Sequence, residues 1–354
     1  MMNAIERTRA TLAFEKPDRL PVDLHNFQPA AAAMGLPLQE VFKDGELLAE
    51  SQIRAWREFG HDVIILESGT SSSAEACGVE VVYRDDAAPV ALKPALERLE
   101  DVDDLPVLDP WTTFPWSEIL NATRIVAREI GDRAYIIGRG DQGPFSLALM
   151  LRGYEAFMLD IALNEQPALI ERLLDYCRET ATRFAMAQLE AGAHATSIGE
   201  SPSGPDVLSP RHYRQWAFPQ QKRMIDDVRA RGQVIAHHIC GNVVPILEDF
   251  VATGAQITEI DHKTDLARAR EAAWGKTAIL GPIDTGLLAF GSPDEVDAAC
   301  RSAIETMRLG RRMRGDAPYH TGFILGPGCA LAPETPPDNI HALVEAAKKY
   351  GTNL

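Results

Sequence analysis

The stretch that decides the fold runs from Gln233 to Gly281. It opens with the apolar run QVIAHH (233–238) and continues as a helical pattern that closes before Gly254. The unit then repeats as QITEI (256–260), a helix closing before Gly275, and TAILG (277–281). A short apolar run, a polar loop and an amphipathic helix ending near glycine make up the period of a parallel sheet. Outward from there the same unit recurs at RLPVD (19–23), DVIIL (62–66), AYIIG (134–138), HATSIG (194–199) and GFILG (322–326). Ser292-Pro293-Asp294-Glu295 is a capping box opening a helix toward Gly310, and Thr335-Pro336 opens a last helix that stops near Gly351. Eight strands in one unbroken chain predict an α/β fold, a (β/α)8 TIM barrel formed as a single domain over residues 1–354. No G-x-G-x-x-G follows an early strand, which argues against a dinucleotide-binding fold. The irregular stretch 67–131 holds a hairpin (VEVVYRD, then APVALKP), an acidic turn from Glu100 to Asp104 and a helix near 116–131. It reads as a lid or accessory layer on the barrel, inserted between strands two and three, rather than a separate domain.

Composition narrows the function classes. The 354 residues are 45% hydrophobic and 24% charged, with 51 acids against 35 bases and a net charge of −16. No Lys/Arg cluster offsets that balance, so a surface that tracks nucleic-acid phosphates is not expected. No run of apolar residues has the length of a signal peptide or a membrane span, so the expectation is a cytoplasmic protein. Five cysteines (Cys77, Cys177, Cys240, Cys300 and Cys329) are a poor disulfide framework in a chain this long and direct attention to metal or catalytic use.

In barrels of this kind chemistry sits at the C-terminal ends of the strands. The polar residues there are His25 and Asn26 after strand one, Arg139 and Asp141 after strand three, and Glu200 after strand four. Strand five contributes His238 and Cys240, strand six Glu259 and Asp261, strand seven Asp284, and strand eight Cys329. Residues two apart on a strand share a side, so His238 and Cys240 can converge while His237 faces the helices. Gly326 and Gly328 allow a tight turn that brings the Cys329 thiol inward. A lone His or Cys in a strand is usually core packing, and Cys77, Cys177 and Cys300 take that reading. Three such residues at one barrel mouth instead suit a tetrahedral zinc with an exchangeable fourth place. Glu259 is the nearest candidate for that place at rest.

A zinc with two thiolates and a neutral imidazole is formally neutral. A substrate thiol, with an ordinary pKa of about 8.5, would bind it as a thiolate and stay electron-rich enough to attack carbon. Lewis-acid activation of a bound oxygen is the other scheme, and both fit group transfer. Glu200, Asp141 and Asp284 are candidates for substrate contact or proton handling, although carboxylates at barrel mouths also commonly support neighbouring side chains or are simply solvated, and His25, Asn26 and Arg139 are candidates for the substrate side. Arg139 pairing with Asp141 is an equal alternative.

The chain resembles the uroporphyrinogen decarboxylase superfamily, and within it the cobamide-dependent branch of methylcobamide:coenzyme M methyltransferases. The resemblance is carried by EKPDRLPVD, DQGPFSLALMLRGYEAFMLD, LSPRHYRQWAFPQQKRMID, HHICGN, AILGPIDTGLLAFGSPDEV and LGPGCALAPETPPDNIHALVEAAKKYG, in that order. It implies a (β/α)8 barrel. True decarboxylases carry an Arg-Gln-Ala-Gly-Arg segment after the first strand, where this chain has HNFQPAAAAMG, and a histidine-glycine pair where it has Gly328-Cys329. The methyltransferases carry His-x-Cys and a distant Cys as zinc ligands, which fall on His238, Cys240 and Cys329. A remote relative, cobalamin-independent methionine synthase, adds a glutamate between the cysteines, an order that Glu259 matches. Relatives often read Gly-Asn-x-Asp-Pro after strand seven, and here Gly281-Pro282-Ile283-Asp284-Thr285 keeps the aspartate and lacks the asparagine.

The resemblance implies a zinc-dependent methyltransferase acting between a cobamide and a thiol or a methyl-ether or other methylated substrate. No Asp-x-His-x-x-Gly cobalamin signature is present, so the cobamide (cobalamin) would come from a corrinoid protein or as free methylcobamide. The alternatives are a metal-free decarboxylase acting on a non-porphyrin acid and a non-enzymatic corrinoid or thiol binder. A homo-oligomer stays open.

Overall fold

The apolar runs fold as parallel strands. In the computed structural model, which describes residues 1–313 and 322–352, they are β1 (Val63–Leu66), β4 (Tyr135–Gln142), β5 (Ala195–Gly199), β6 (Ile235–Ile239), β7 (Ile257–Ile260), β8 (Ala278–Ile283) and β9 (Phe323–Pro327). Their order is β1-β4-β5-β6-β7-β8-β9, every neighbouring pair parallel. The sheet curls into an open barrel with helices on its outside, and its strands are buried on both faces, as continuous Val/Ile/Leu runs require. The expected capping box forms: Ser292 N–H donates to Glu295 (2.8 Å) and opens the helix Pro293–Met313. No helix among the described residues is long and apolar enough to cross a membrane.

Two expectations are corrected. Residues 19–23 are not an eighth strand, so the sheet is seven-stranded and open rather than a closed eight-stranded barrel. Only single bridges link this segment to the sheet edges, Val22 to Leu325 and Asp23 to Val63. The cause is local chemistry. Pro21 has no N–H to give, and the Val22 N–H goes to the Asp62 carboxylate (3.0 Å) instead of a ladder carbonyl. His25, at φ +44°, then ends the extended run.

The stretch 67–131 is likewise no defined lid. Its hairpin exists, β2 (Glu80–Val82) against β3 (Val90–Lys93), antiparallel. But the helix Trp116–Ile130 is part of the outer helical layer, packing Ala122, Val126 and Ile130 into the same cluster as Leu48, Ala49 and Ile53 of the helix Gly45–Phe59.

Side-chain parity connects this fold to its chemistry. Ile65, Ile137, Ala195, Ala236 and Ile257 form one apolar layer inside the barrel. Two residues further along each strand, on the same inward side, stand Glu67, Arg139, Ser197, His238 and Glu259. The core thus changes from apolar to charged within one step toward the C-terminal ends. Val22 packs outward with Leu325, so Asp23 and His25 on the bridging segment face inward.

Candidate metal centre

At the C-terminal ends of the strands His238, Cys240 and Cys329 come together, with one ligand atom of each within 4.8 Å of the others. His238 Nε2 is 2.9 Å from Cys240 Sγ, and Cys240 Sγ is 3.5 Å from Cys329 Sγ. The first two meet because they lie two apart at the end of β6. Cys329 arrives through Gly328, where a Cβ would stand 2.8 Å from the His262 nitrogen and 3.0 Å from the Asp261 Cα. Asp261 secures the neighbouring turn by accepting from Gly241 N–H (2.8 Å). The Cys329 thiol and the imidazole of His238 hold Cys240 well below the ordinary thiol range, while that shared proton and burial raise Cys329. Two adjacent sulfurs, one readily ionised, and an imidazole nitrogen aimed at them make a donor set that fits zinc.

Glu259 stands behind the imidazole. Its Oε1 is 3.5 Å from His238 Nδ1, the ring nitrogen that does not face the thiols. The same oxygen is 3.3 Å from His25 Nδ1, and His25 Nε2 is 3.2 Å from Glu67. Arg139 closes the set, 3.2 Å from Glu67 and 3.9 Å from Glu259. All of these side chains are buried. Against burial, which would lower it, Glu67 and Glu259 push His25 up to about 10. Against burial, His238, His25 and Arg139 hold Glu259 down to about 2. Arg139 therefore pairs with Glu67 and Glu259 rather than making its ion pair with Asp141.

Among the other sequence candidates, Asp141 sits at φ +62° and accepts from Ser72 Oγ (2.9 Å) and Ser73 N–H (2.6 Å). Its second oxygen is buried without a partner, and burial pushes it up to about 6. Asn26 is buried, its Nδ2 unpartnered. Glu200 and Asp284 are engaged elsewhere. Glu200 accepts from Phe145 N–H (3.0 Å), Ser146 N–H (2.9 Å) and Ser146 Oγ (2.7 Å), capping the helix Pro144–Arg152. Asp284 caps a short helix by accepting from Gly286 N–H (2.8 Å). Cys77, Cys177 and Cys300 are buried, as packing residues should be.

Two residues of the charged floor escaped the sequence reading. Glu67 follows Ile65 by two, the signal of an inward position, but falls where the lid was expected to begin. Asp23, a carboxylate inside an apolar segment, was counted as strand; burial pushes it up to about 7.

Fold and site together define a parallel α/β protein with a His/Cys/Cys group that could hold a metal ion at the C-terminal ends of its strands. The uroporphyrinogen decarboxylase (URO-D) family model matches residues 3–350, and the chain belongs to that family. It is similar to "Uroporphyrinogen decarboxylase" of Syntrophotalea carbinolica, 30% identical over 88% of this chain and 86% of that one. Within the family it stands close to methylcobamide:CoM methyltransferases: MtbA of Methanosarcina acetivorans is 25% identical over 98% and 97% of the two chains. A solved methyltransferase from Methanosarcina mazei shares the fold, with TM-score 0.88, 24% identity and 99% coverage of both chains.

Proposed function

We propose that this chain is a zinc-dependent methyltransferase that moves a methyl group between a corrinoid and a thiol or a methylated small molecule. The observation that carries the reading is the convergence of His238 Nε2, Cys240 Sγ and Cys329 Sγ within 4.8 Å at the barrel mouth. His238, Cys240 and Cys329 would hold the ion, and zinc bound there supplies Lewis acidity that keeps a further sulfur or oxygen ligand reactive at neutral pH. Glu259, 3.5 Å from His238 Nδ1 and not hydrogen-bonded to it, would bias that ring's orientation and raise its basicity as a ligand by its charge, as carboxylates behind metal-bound histidines do. This role replaces the fourth-ligand place expected from the sequence and leaves that place to substrate. His25 and Arg139 fix Glu259 from the other side, and burial of the whole set keeps water from the floor. The corrinoid would come from a partner protein or as free cobamide.

A second reading, decarboxylation of a non-porphyrin acid, is favoured by the 30% identical relative named a decarboxylase. Two assays run together separate the readings. Zinc-loaded protein is mixed with methylcobalamin and a panel of thiols, and loss of the methyl–cobalt absorbance is followed. Thiol-dependent demethylation that disappears in Cys240→Ser is expected. No demethylation with any thiol, together with metal-independent release of carbon dioxide from an acid, would replace the methyltransferase reading with the decarboxylase.

A further inference from the structure

We infer that Asp261 and Thr264 are positioning residues of the metal centre: the short turn they bracket holds the two cysteine-bearing turns against each other and so sets the affinity of the site for its ion. The inference rests on the metal-site reading of His238, Cys240 and Cys329 and assigns two residues outside that ligand set.

The sheet order poses the problem. Cys240 follows β6 and Cys329 lies just beyond β9, with β7 and β8 between them. Three strand spacings of about 4.8 Å put those strand ends about 14 Å apart along the sheet. The two sulfurs nevertheless stand 3.5 Å apart. The chain after β9 therefore crosses the end of β8 and comes to rest on the end of β7. Gly328 makes that crossing. Its N–H donates to the Ile283 carbonyl at the end of β8 (2.7 Å). A Cβ on it would stand 3.0 Å from the Asp261 Cα and 2.8 Å from the His262 nitrogen, so the turn lies directly on the backbone that follows β7.

The same stretch holds the Cys240 turn by its backbone. One Asp261 carboxylate oxygen accepts from the Gly241 N–H (2.8 Å), and the Thr264 hydroxyl donates to the Gly241 carbonyl (2.9 Å) while accepting from the Val243 N–H (3.1 Å). Gly241, next in the chain to Cys240, thus gives both of its backbone polar groups to residues 261 and 264. It sits at φ +81°, a left-handed turn that these bonds fix. The other Asp261 oxygen accepts from the Lys263 N–H (3.2 Å) and stands 2.7 Å from His262 Nδ1. The Thr264 N–H donates to the Asp261 carbonyl (3.0 Å), so the 261–264 turn is closed on itself. Asp261 and Thr264 are both buried. With donors on both of its oxygens, Asp261 braces the site rather than serving it as a ligand.

A ligand carried on a loop is placed only as well as that loop is held. Partners of this kind behind metal ligands are worth about 10–100-fold in metal affinity. Loss of either side chain frees the Cys240 turn, while Cys329 keeps its seat on the β7 end.

The test is chelator competition on the full chain, with zinc and with cobalt(II). Thr264→Val is near-isosteric and removes the hydroxyl, Thr264→Ser keeps it, and Asp261→Ala removes the carboxylate. Thr123→Val is the reference for a buried hydroxyl lost elsewhere, since Thr123 is fully buried on the helix Trp116–Ile130 and donates to the Ile119 carbonyl (2.8 Å). Thr264→Val and Asp261→Ala should bind both metals about tenfold or more weakly, with Thr264→Ser and Thr123→Val within about threefold of wild type. If Asp261→Ala does not fold, the two Thr264 variants decide. Wild-type affinity in Thr264→Val, or an equal loss in Thr264→Ser, would overturn the inference. So would an equal loss in Thr123→Val, which would trace the effect to general stability. A wild type that takes up neither metal would instead overturn the metal-site reading.

Discussion

Replacing Arg139 with methionine tests the buried floor most quantitatively. The guanidinium lies 3.2 Å from Glu67 and 3.9 Å from Glu259, only 4% exposed. With an effective dielectric constant of about 20 these contacts correspond to attractions of about 5 and about 4 kcal/mol, much of which offsets the desolvation of the three groups. Removing the cation leaves Glu67 buried beside His25 alone and Glu259 beside His25 and His238. Breaking a buried pair from one side typically destabilises by about 3–5 kcal/mol. For 354 residues the unfolding entropy is about 0.7 kcal/mol per degree, so the melting temperature should fall by roughly 5 °C.

The pH dependence has a definite sign. Against burial, His25 and Arg139 hold Glu67 below its ordinary value of 4.5. A carboxylate lowered on folding contributes stability that is present above its unfolded pKa and lost as pH falls through its folded pKa. In Arg139→Met burial lifts Glu67, which can then be protonated while folded. The gap between wild type and variant should be widest near neutrality and narrow in acid. Urea unfolding at fixed metal loading from pH 7.5 to 5 measures it. A difference below about 1 kcal/mol at neutral pH, or one that widens in acid, would refute the reasoning.

Three further outcomes follow from the same geometry. Gly328→Ala places a methyl 2.8 Å from the His262 nitrogen and must displace the Cys329 turn; zinc affinity by chelator competition should fall about 10–100-fold, and wild-type affinity would show the turn tolerates the methyl. His61 is buried, which lowers its pKa from 6.5 to about 3. Its neutral form is favoured by the fold, so its contribution to stability should be full above pH 6.5 and fall by up to about 1.4 kcal/mol per pH unit below it; His237, also lowered to about 3 by burial, adds to the same slope, so His61→Gln should make the acid slope shallower by that amount without abolishing it in pH-dependent urea melts. Glu200→Ala should destabilise by about 1–3 kcal/mol by stripping the cap from Phe145 and Ser146 while zinc content stays at the wild-type level; lost zinc would place Glu200 in the metal centre instead.

The legible parts of the molecule were those governed by local pattern. Val63–Leu66 and Ile257–Ile260 are apolar runs with clear stops, and their strands lie within a residue of the expected ones. His238 and Cys240 were legible because strand parity is local. RLPVD was misread because its apolar content is that of a strand while its hydrogen bonding is not: the partner of Val22 N–H is a side chain 40 residues away. The helix Trp116–Ile130 was assigned to a lid because nothing local says that it packs on Gly45–Phe59. Glu200 illustrates the opposite difficulty, since a carboxylate at a barrel mouth is the same letter whether it handles protons or caps a helix. Asp23 and Glu67 became visible only when the inward faces of several strands were assembled.

The central claim is that His238, Cys240 and Cys329 form one metal site. Metal content of the purified protein by mass spectrometry, with Cys240→Ser and Cys329→Ser alongside, tests it most directly. The account predicts about one zinc per chain in wild type and a fall in both variants. A wild type that takes up no zinc even after reconstitution, or variants that keep it in full, would contradict it.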